Sequence, residues 1–423
     1  MKLLINNGHV LDPSNRRDGR FDVLIDRGKI VDVQPTIPAN GTKTIDAKGL
    51  LVVPGFVDLH THLRQPGRED KETIETGARA AVRGGFTTIC AMPNTEPAID
   101  HRGVVDFIHQ EAQRLGLVSV HPIGAITKGR QGLELTDFGE LFDAGCVALS
   151  DDGSPVADGW LMRRALEYAK VFNRPLIQHA EDPTLVAGGV MHEGLVSTTL
   201  GLRGIPSEAE SVCVARDLAL AELTGGWVHF AHVSCAKSVE LIRHAKRRGV
   251  RVSCEVTPHH LALTHETVEG FNTHAKVNPP LRTESDRTSL IEGLRDGTIE
   301  CIATDHAPHT DWEKDADFDS APFGISGLET ALGVCVEVLI SPGHLTWSQL
   351  IEKLSTNPAR IAGLHAGTLG IGVEADITLI DPKRSWTVDP KQFVSKGRHS
   401  PFAGKTLKGA VVRVLHHGVG VFP

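Results

Sequence analysis

Seven side chains able to hold a metal ion or move a proton share one kind of position in this sequence. His60 and His62, the pair Asp151-Asp152, His179, His232 and Asp305 each end or follow a short apolar run. Imidazoles and carboxylates brought together form a ligand set for a divalent transition metal. His60-Thr61-His62 puts two imidazoles on one strand face, because strand side chains repeat every second residue. Each feature alone has a plain alternative. An H-x-H pair is common surface chemistry, and a lone histidine such as His179 is commonly a hydrogen-bonded core or rim residue. Asp151-Asp152-Gly153 and Asp305 can simply cap a turn or the following segment. The joint arrangement carries more weight than its members. One ion takes at most about four protein ligands, and a catalytic one keeps a position open to water. Four histidines and two carboxylates exceed that and fit two ions sharing a bridging carboxylate and a bridging hydroxide. Such a pair lowers the pKa of the shared water and polarises a carbonyl, which is amide chemistry.

The elements that must position these groups are strands. Eight apolar, strand-like runs occur at Phe56–His60, Thr87–Met92, Val118–Ile123, Val147–Ser150, Leu176–His179, Val228–His232, Val250–Val256 and Cys301–Asp305. Helix-compatible segments separate them, among them residues 72–83, 160–172, 207–223 and 238–248. Eight such strands alternating with helices over about 250 residues predict an α/β fold, a (β/α)8 TIM-like barrel. The chemistry-bearing residues then fall at the C-terminal ends of strands 1, 4, 5, 6 and 8, where a barrel carries its active site. A doubly wound open sheet would need a phosphate-binding glycine turn after an early strand, whereas Gly84-Gly85 precedes one.

Both ends of the chain read differently. Residues 3–11, 21–33 and 44–53, and later 375–381 and 409–418, are rich in β-branched residues punctuated by Gly and Asn. They predict a small β-sandwich domain built from both termini, residues 1–53 and 365–423, around a barrel of residues 54–364.

Composition narrows the function classes. The 423 residues carry a formal charge of -8 with 40% apolar and 23% charged side chains, ordinary for a soluble globular protein. No basic stripe suggests nucleic acid. No uncharged stretch is long enough to span a bilayer, and no sustained apolar run follows Lys2 to suggest a secretory signal. Seven dispersed cysteines without a C-x-x-C pair are expected to be reduced thiols in a cytoplasmic protein.

The motifs resemble those of the amidohydrolase superfamily, and within it the class I dihydroorotases. The most specific segments are Asp58-Leu-His-Thr-His-Leu-Arg-Gln-Pro66 and Ala303-Thr-Asp-His-Ala-Pro-His309, with Lys314 beyond. Met92-Pro-Asn94, Asp151-Asp-Gly153, Val277-Asn-Pro-Pro-Leu281 and Phe323-Gly-Ile-Ser-Gly-Leu-Glu329 add to the likeness, which runs the whole chain. The resemblance implies two zinc ions per chain, bridged by Asp152 and hydroxide. His60, His62, Asp152 and Asp305 would hold one, and Asp152, His179 and His232 the other. Many relatives bridge with a carboxylated lysine, yet the end of strand 4 here reads Leu149-Ser-Asp-Asp-Gly153, with no lysine.

The implied substrate is dihydroorotate or N-carbamoyl-L-aspartate, whose carboxylate needs a cation and amide donors. Arg64, two residues beyond His62, has the planar fork that suits a carboxylate. The resemblance adds His62, Asn94 and His309 to that side of the site, and Asn278, Phe323 and Gly324 along the ring's amide edges. It makes Asp305 the catalytic proton carrier, taking a proton from the attacking oxygen and passing it to the leaving ring nitrogen. Residues 306–323 form a charged excursion, either a solvated loop or a mobile rim over the site. Two rival readings stand beside dihydroorotase. One is a cyclic-ureide hydrolase (hydantoinase, dihydropyrimidinase or allantoinase), which would normally want the bridging lysine and lack Arg64. The other is a non-catalytic, dihydroorotase-like partner of aspartate transcarbamoylase, against which stands a full set of expected ligands. A homodimer, and an active complex with that transcarbamoylase, are further expectations of the resemblance.

Overall fold

The computed structural model describes residues 2–422. Eight parallel strands carry the middle of the chain: β1 (Phe56–Thr61), β2 (Phe86–Ala91), β3 (Ser119–Pro122), β4 (Leu149–Ser150), β5 (Leu176–Gln178), β6 (Val228–Phe230), β7 (Val252–Val256) and β8 (Cys301–Ile302). Each overlaps one of the eight apolar runs. The ladder joins β3–β2–β1 in one sheet and β4–β5–β6–β7–β8 in another. Parallel bridges from Gly124 to Leu149 and from Thr61 to His306 link the edges of these sheets.

Two strands are short for a reason visible in their neighbours. Beyond β4 the Asp151 carboxylate accepts the N–H groups of Ile126 and Thr127, at 2.8 and 3.0 Å. Beyond β8 the Asp58 carboxylate accepts the Thr304 N–H at 3.1 Å and its hydroxyl at 2.6 Å. Side chains there take over from the strand ladder.

A helix lies between each successive pair of strands: Ile74–Gly84, Arg102–Leu115, Phe138–Ala144, Gly159–Val171, Glu208–Thr224, Ala236–Arg247 and Glu284–Asp296. The first shows why the sequence stops and starts them where it does. The Thr73 hydroxyl accepts the Thr76 N–H, and the Thr76 hydroxyl accepts the Thr73 N–H, a reciprocal cap. Gly85 ends the helix at φ 92°, a left-handed conformation that suits glycine. A Cβ on Gly84 would lie 2.2 Å from the Leu328 carbonyl oxygen, so this helix end packs only as glycine. The Gly84-Gly85 pair is therefore a helix terminus feeding β2.

The chain ends form two further sheets. A four-stranded sheet orders Lys29–Gln34, Asp22–Asp26, Lys2–Asn6 and Lys43–Asp46. A six-stranded sheet joins both termini, with Leu51–Pro54 antiparallel to Ile377–Thr387. Val10, Val23, Ile25, Val52, Ile377 and Leu415 fill a shared apolar core between them. Residues 388–402 leave these sheets: Val388, Phe393 and Phe402 pack with Leu263, Val277 and Phe318 instead. No helix among the described residues is long and apolar enough to cross a membrane.

Candidate metal centre

The parallel strands aim their C-terminal ends the same way, and the six metal-capable residues singled out above meet there. His60 lies within β1 and His62 just past it; Asp152, His179, His232 and Asp305 follow β4, β5, β6 and β8 within three residues. All six are buried, none more than 5% exposed. His232 (φ 32°) and Asp305 (φ 46°) sit in left-handed backbone, as does Arg64 (φ 61°). That region is sparsely populated by residues with a Cβ, and its cost is met here where side chains turn inward.

Asp152 stands at the centre. Its Oδ1 lies 3.3 Å from His60 Nε2, 3.6 Å from His179 Nδ1 and 3.5 Å from His232 Nε2, and its Oδ2 lies 3.5 Å from His62 Nε2. Asp305 Oδ1 is 3.1 Å from His62 Nε2 and 3.5 Å from His60 Nε2. Asp151, by contrast, is spent on Ile126 and Thr127 and faces away from the cluster.

This donor set fits metal ions. Ligands about 2.0–2.1 Å from a tetrahedral zinc lie about 3.3 Å from one another, and the spacings above scatter around that value. His60 Nε2 and Asp152 Oδ1 are buried without a hydrogen-bond partner, as buried polar atoms seldom are. His60 donates from Nδ1 to Glu255 Oε1 at 2.8 Å, so its Nε2 presents a lone pair to two carboxylate oxygens. A positive charge between them, a metal ion or a proton on the imidazole, makes that arrangement favourable. Within this cluster two trios meet the spacing a metal needs, His60/His62/Asp305 and His60/Asp152/His232, and they share His60. His179 joins through its Nδ1, 2.9 Å from His232 Nε2.

The electrostatics agree. Burial works against a charged His179, yet Asp152 and Glu181 lift it to about 10, and Asp152 and Asp305 hold His60 well above its ordinary value against the same penalty. Burial would raise the Asp152 and Asp305 carboxyls, but His60 and the other imidazoles around them pull both far below the carboxylate range. The two buried carboxylates draw positive charge to the imidazoles around them, which protons or a metal ion can supply.

A cavity of about 180 Å³ opens onto this cluster. Arg64, Asn94, Asn278, His309, Phe323 and Gly324, the residues expected on the substrate side, all line it. Asn94 Oδ1 accepts from His62 Nδ1 at 2.8 Å, which turns the Nε2 of His62 toward Asp305. Asn278 donates from Nδ2 to Glu181 at 2.7 Å and lies 3.3 Å from His179 Nε2. His309 Nε2 lies 2.8 Å from the Phe323 carbonyl oxygen, and a Cβ on Gly324 would come within 3.0 Å of the His309 ring. The 306–323 excursion is packed against residues beyond the C-terminal ends of the parallel strands. Buried Lys314 donates to the carbonyls of Pro322 and Gly324 at 2.9 and 3.0 Å, and Phe318 is in the core.

Four residues of the site escaped sequence reasoning: Lys71, Glu181, Glu255 and His399. His179-Ala-Glu181 repeats the i,i+2 spacing of His60 and His62 and was the available signal for Glu181. Glu255, the one charged residue in β7 (Val252–Val256), was a second. Lys71 and His399, which reach His309 from 238 and 90 residues away, had none.

A family model described as dihydro-orotase-like matches residues 49–238. A dihydroorotase from Pelotomaculum thermopropionicum is 55% identical, with 97% of this chain and 96% of the relative covered. One from Geobacter metallireducens is 50% identical over the full length of both. Among solved structures, the L-hydantoinase (dihydropyrimidinase) of Arthrobacter aurescens superimposes with a TM-score of 0.89 at 26% identity, over 99% of this chain and 96% of that one. Identity of this order across the whole length, spanning every residue of the cluster just described, means that the chain belongs to the dihydroorotase family.

Proposed function

We propose that the protein is a class I dihydroorotase that interconverts N-carbamoyl-L-aspartate and L-dihydroorotate plus water, a step of pyrimidine synthesis, with two zinc ions. The carrying observation is that His62, His179, His232, both aspartates and the Arg64/Asn94/His309 group line one small cavity, with His60 buried directly behind them within metal-binding distance of His62, Asp152, His232 and Asp305. His60, His62, Asp152 and Asp305 would hold one ion, and Asp152, His179 and His232 the other. When bound, the zinc pair supplies Lewis-acid polarisation of the amide carbonyl and a more acidic water.

The chain's own residues do the rest. Arg64, Asn94 and His309 hold the substrate carboxylate, and Asn278 with the Phe323–Gly324 backbone faces the ring amides. In ring opening Asp305 accepts a proton as water attacks the cyclic amide carbon, and delivers it to the ring nitrogen as the C–N bond breaks. In closure Asp305 protonates the oxygen that leaves as water. Closure turns a dianion into a monoanion and takes up one proton, so the equilibrium ratio moves toward dihydroorotate about tenfold per unit fall in pH.

Two linking bridges at the sheet edges support reading the eight strands as a closed (β/α)8 barrel of residues 54–364; the β-sandwich beside it is read as 1–53 and 365–423, with residues 388–402 of that stretch packed instead against Leu263, Val277 and Phe318. The cytoplasmic setting, the homodimer and the association with aspartate transcarbamoylase rest on the family resemblance, and light scattering with and without that enzyme tests the last two. A hydantoinase reading is disfavoured because no lysine lines the cavity, whereas an arginine does. The deciding experiment assays purified protein on dihydroorotate beside hydantoin and allantoin, with zinc counted in the same sample. Turnover of dihydroorotate alone with two zinc ions per chain is expected. Turnover of hydantoin or allantoin in its place overturns the assignment.

A further inference from the structure

β7 is a central strand with no residue in the metal cluster, yet it carries a fully buried carboxylate. Glu255 is 0% exposed, with Oε1 2.8 Å from His60 Nδ1 and Oε2 3.2 Å from His229 Nε2. Behind it, Ser253 Oγ lies 2.8 Å from His229 Nδ1 and accepts the Trp227 indole N–H at 3.0 Å. The protons of this chain can be assigned from donors and acceptors alone. Indole N–H only donates, so the Ser253 hydroxyl hydrogen is free to point at His229 Nδ1. An ionised carboxylate only accepts, so both nitrogens facing Glu255 are N–H. One atom is left over. His60 Nε2 has no partner within the protein and points at Asp152 and Asp305.

No lysine or arginine lies within ion-pair distance of Glu255; its two partners are the imidazoles. A buried carboxylate needs a compensating positive charge, and a metal on the far side of His60 would provide it. Resting on the metal-centre reading above, we propose that Glu255, held in place by His229, is a positioning residue that fixes the Nδ1–H form of His60 and supplies the buried negative charge that retains the ion there. Carboxylates hydrogen-bonded behind ligating histidines commonly change metal affinity 10- to 100-fold when removed.

The test is Glu255→Gln. Glutamine keeps the shape, can accept from His60 through its amide oxygen, and lacks the charge; His229 accommodates its NH2 by moving its own proton to the Ser253 side. Zinc affinity is measured by competition with a chromophoric chelator, and the visible spectrum of the cobalt-substituted protein reports the ligand field. The variant is expected to bind zinc 10- to 100-fold more weakly, with an altered cobalt spectrum and unchanged far-UV circular dichroism. Glu255→Asp, which keeps the charge, is expected to recover part of the affinity. His229→Asn, which loosens the carboxylate without removing it, is expected to weaken zinc binding severalfold and serves if the Glu255 variants do not fold. Wild-type zinc affinity and cobalt spectrum in Glu255→Gln, or in His229→Asn where that variant serves, overturn the proposal. A wild-type chain that binds no zinc would sink the metal-enzyme reading itself, a separate failure.

Discussion

Lys71 Nζ lies 3.0 Å from Nδ1 of His309, while its ammonium also pairs with Glu313 at 2.8 Å. An ammonium only donates, so His309 accepts at Nδ1 and carries its proton on Nε2. That Nε2–H lies 2.8 Å from the Phe323 carbonyl at the cavity wall, with an Arg64 guanidinium nitrogen 3.4 Å away. Two donors facing each other share no proton. Under the proposed carboxylate clamp, a substrate anion would compete with the Phe323 carbonyl for the His309 N–H beside Arg64, and Lys71 would keep that nitrogen protonated without touching the substrate.

Lys71→Met is therefore expected to raise KM for dihydroorotate and carbamoyl aspartate about tenfold, the worth of roughly one charge-assisted hydrogen bond, with a smaller change in kcat. Lys71→Arg should restore part of the loss. Steady-state kinetics in both directions decide it. A fall in kcat with KM unchanged would move Lys71 out of the carboxylate clamp.

Asp305→Asn keeps the side-chain volume and one oxygen able to face His62, but cannot cycle a proton. Turnover is expected to drop roughly a hundred- to ten-thousand-fold while zinc content stays close to wild type. Elemental analysis beside the rate measurement separates the two effects. Near-normal turnover would take the proton carrier elsewhere.

The two adjacent aspartates make a matched pair of controls. Asp152→Asn should lower zinc content and activity together, because four imidazoles lose their shared anionic partner. Asp151→Asn should leave zinc content unchanged and instead destabilise the fold by about 1–3 kcal/mol, since the backbone N–H groups of Ile126 and Thr127 then meet a weaker acceptor. Zinc analysis and thermal unfolding of both variants tell them apart. Loss of zinc from Asp151→Asn but not from Asp152→Asn would exchange their roles.

Strand periodicity made part of this site readable in one dimension. The eight apolar runs mark the eight strands, and a histidine or aspartate closing such a run must emerge at the strand's C-terminal end. That logic reaches His60, His62, His179, His232 and Asp305. It stops at Asp151-Asp152, because a turn breaks the period-two rule and both carboxylates are equally placed in the sequence; the N–H groups of Ile126 and Thr127 separate them only in three dimensions. It also misses Glu255, whose alternation points it into the strand assembly beneath His60, a destination that depends on the register of β7 against β6. His399 lies outside its reach altogether. It accepts the His309 N–H at 2.9 Å from a segment that returns from the C-terminal sheet, a tertiary contact with no local signature.

Glu329 gives the chain a pH dependence separable from its chemistry. The carboxylate is 4% exposed, accepts the N–H groups of Val394 and Ser395 at 2.9 and 3.2 Å, and faces Arg83 at 3.4 Å. Burial pushes it from the usual 4.5 up to about 7; the two N–H groups and Arg83 offset this only in part, and Glu72 adds to it. Between pH 4.5 and 7 the folded chain thus keeps a proton that the unfolded chain has released. Stability from this group falls as pH rises through that window and levels off above it. Each tenfold change in proton affinity is worth about 1.4 kcal/mol, so the loss is of the order of 3 kcal/mol. Glu329→Gln keeps the acceptor oxygen and never ionises. The variant is expected to match wild type at about pH 5 and to exceed it at about pH 8, by several degrees in unfolding midpoint. Metal binding and all other titrations are common to both proteins, so the difference between their midpoints at each pH isolates Glu329. A difference that stays constant across this range would mean that Arg83 keeps the carboxylate charged throughout.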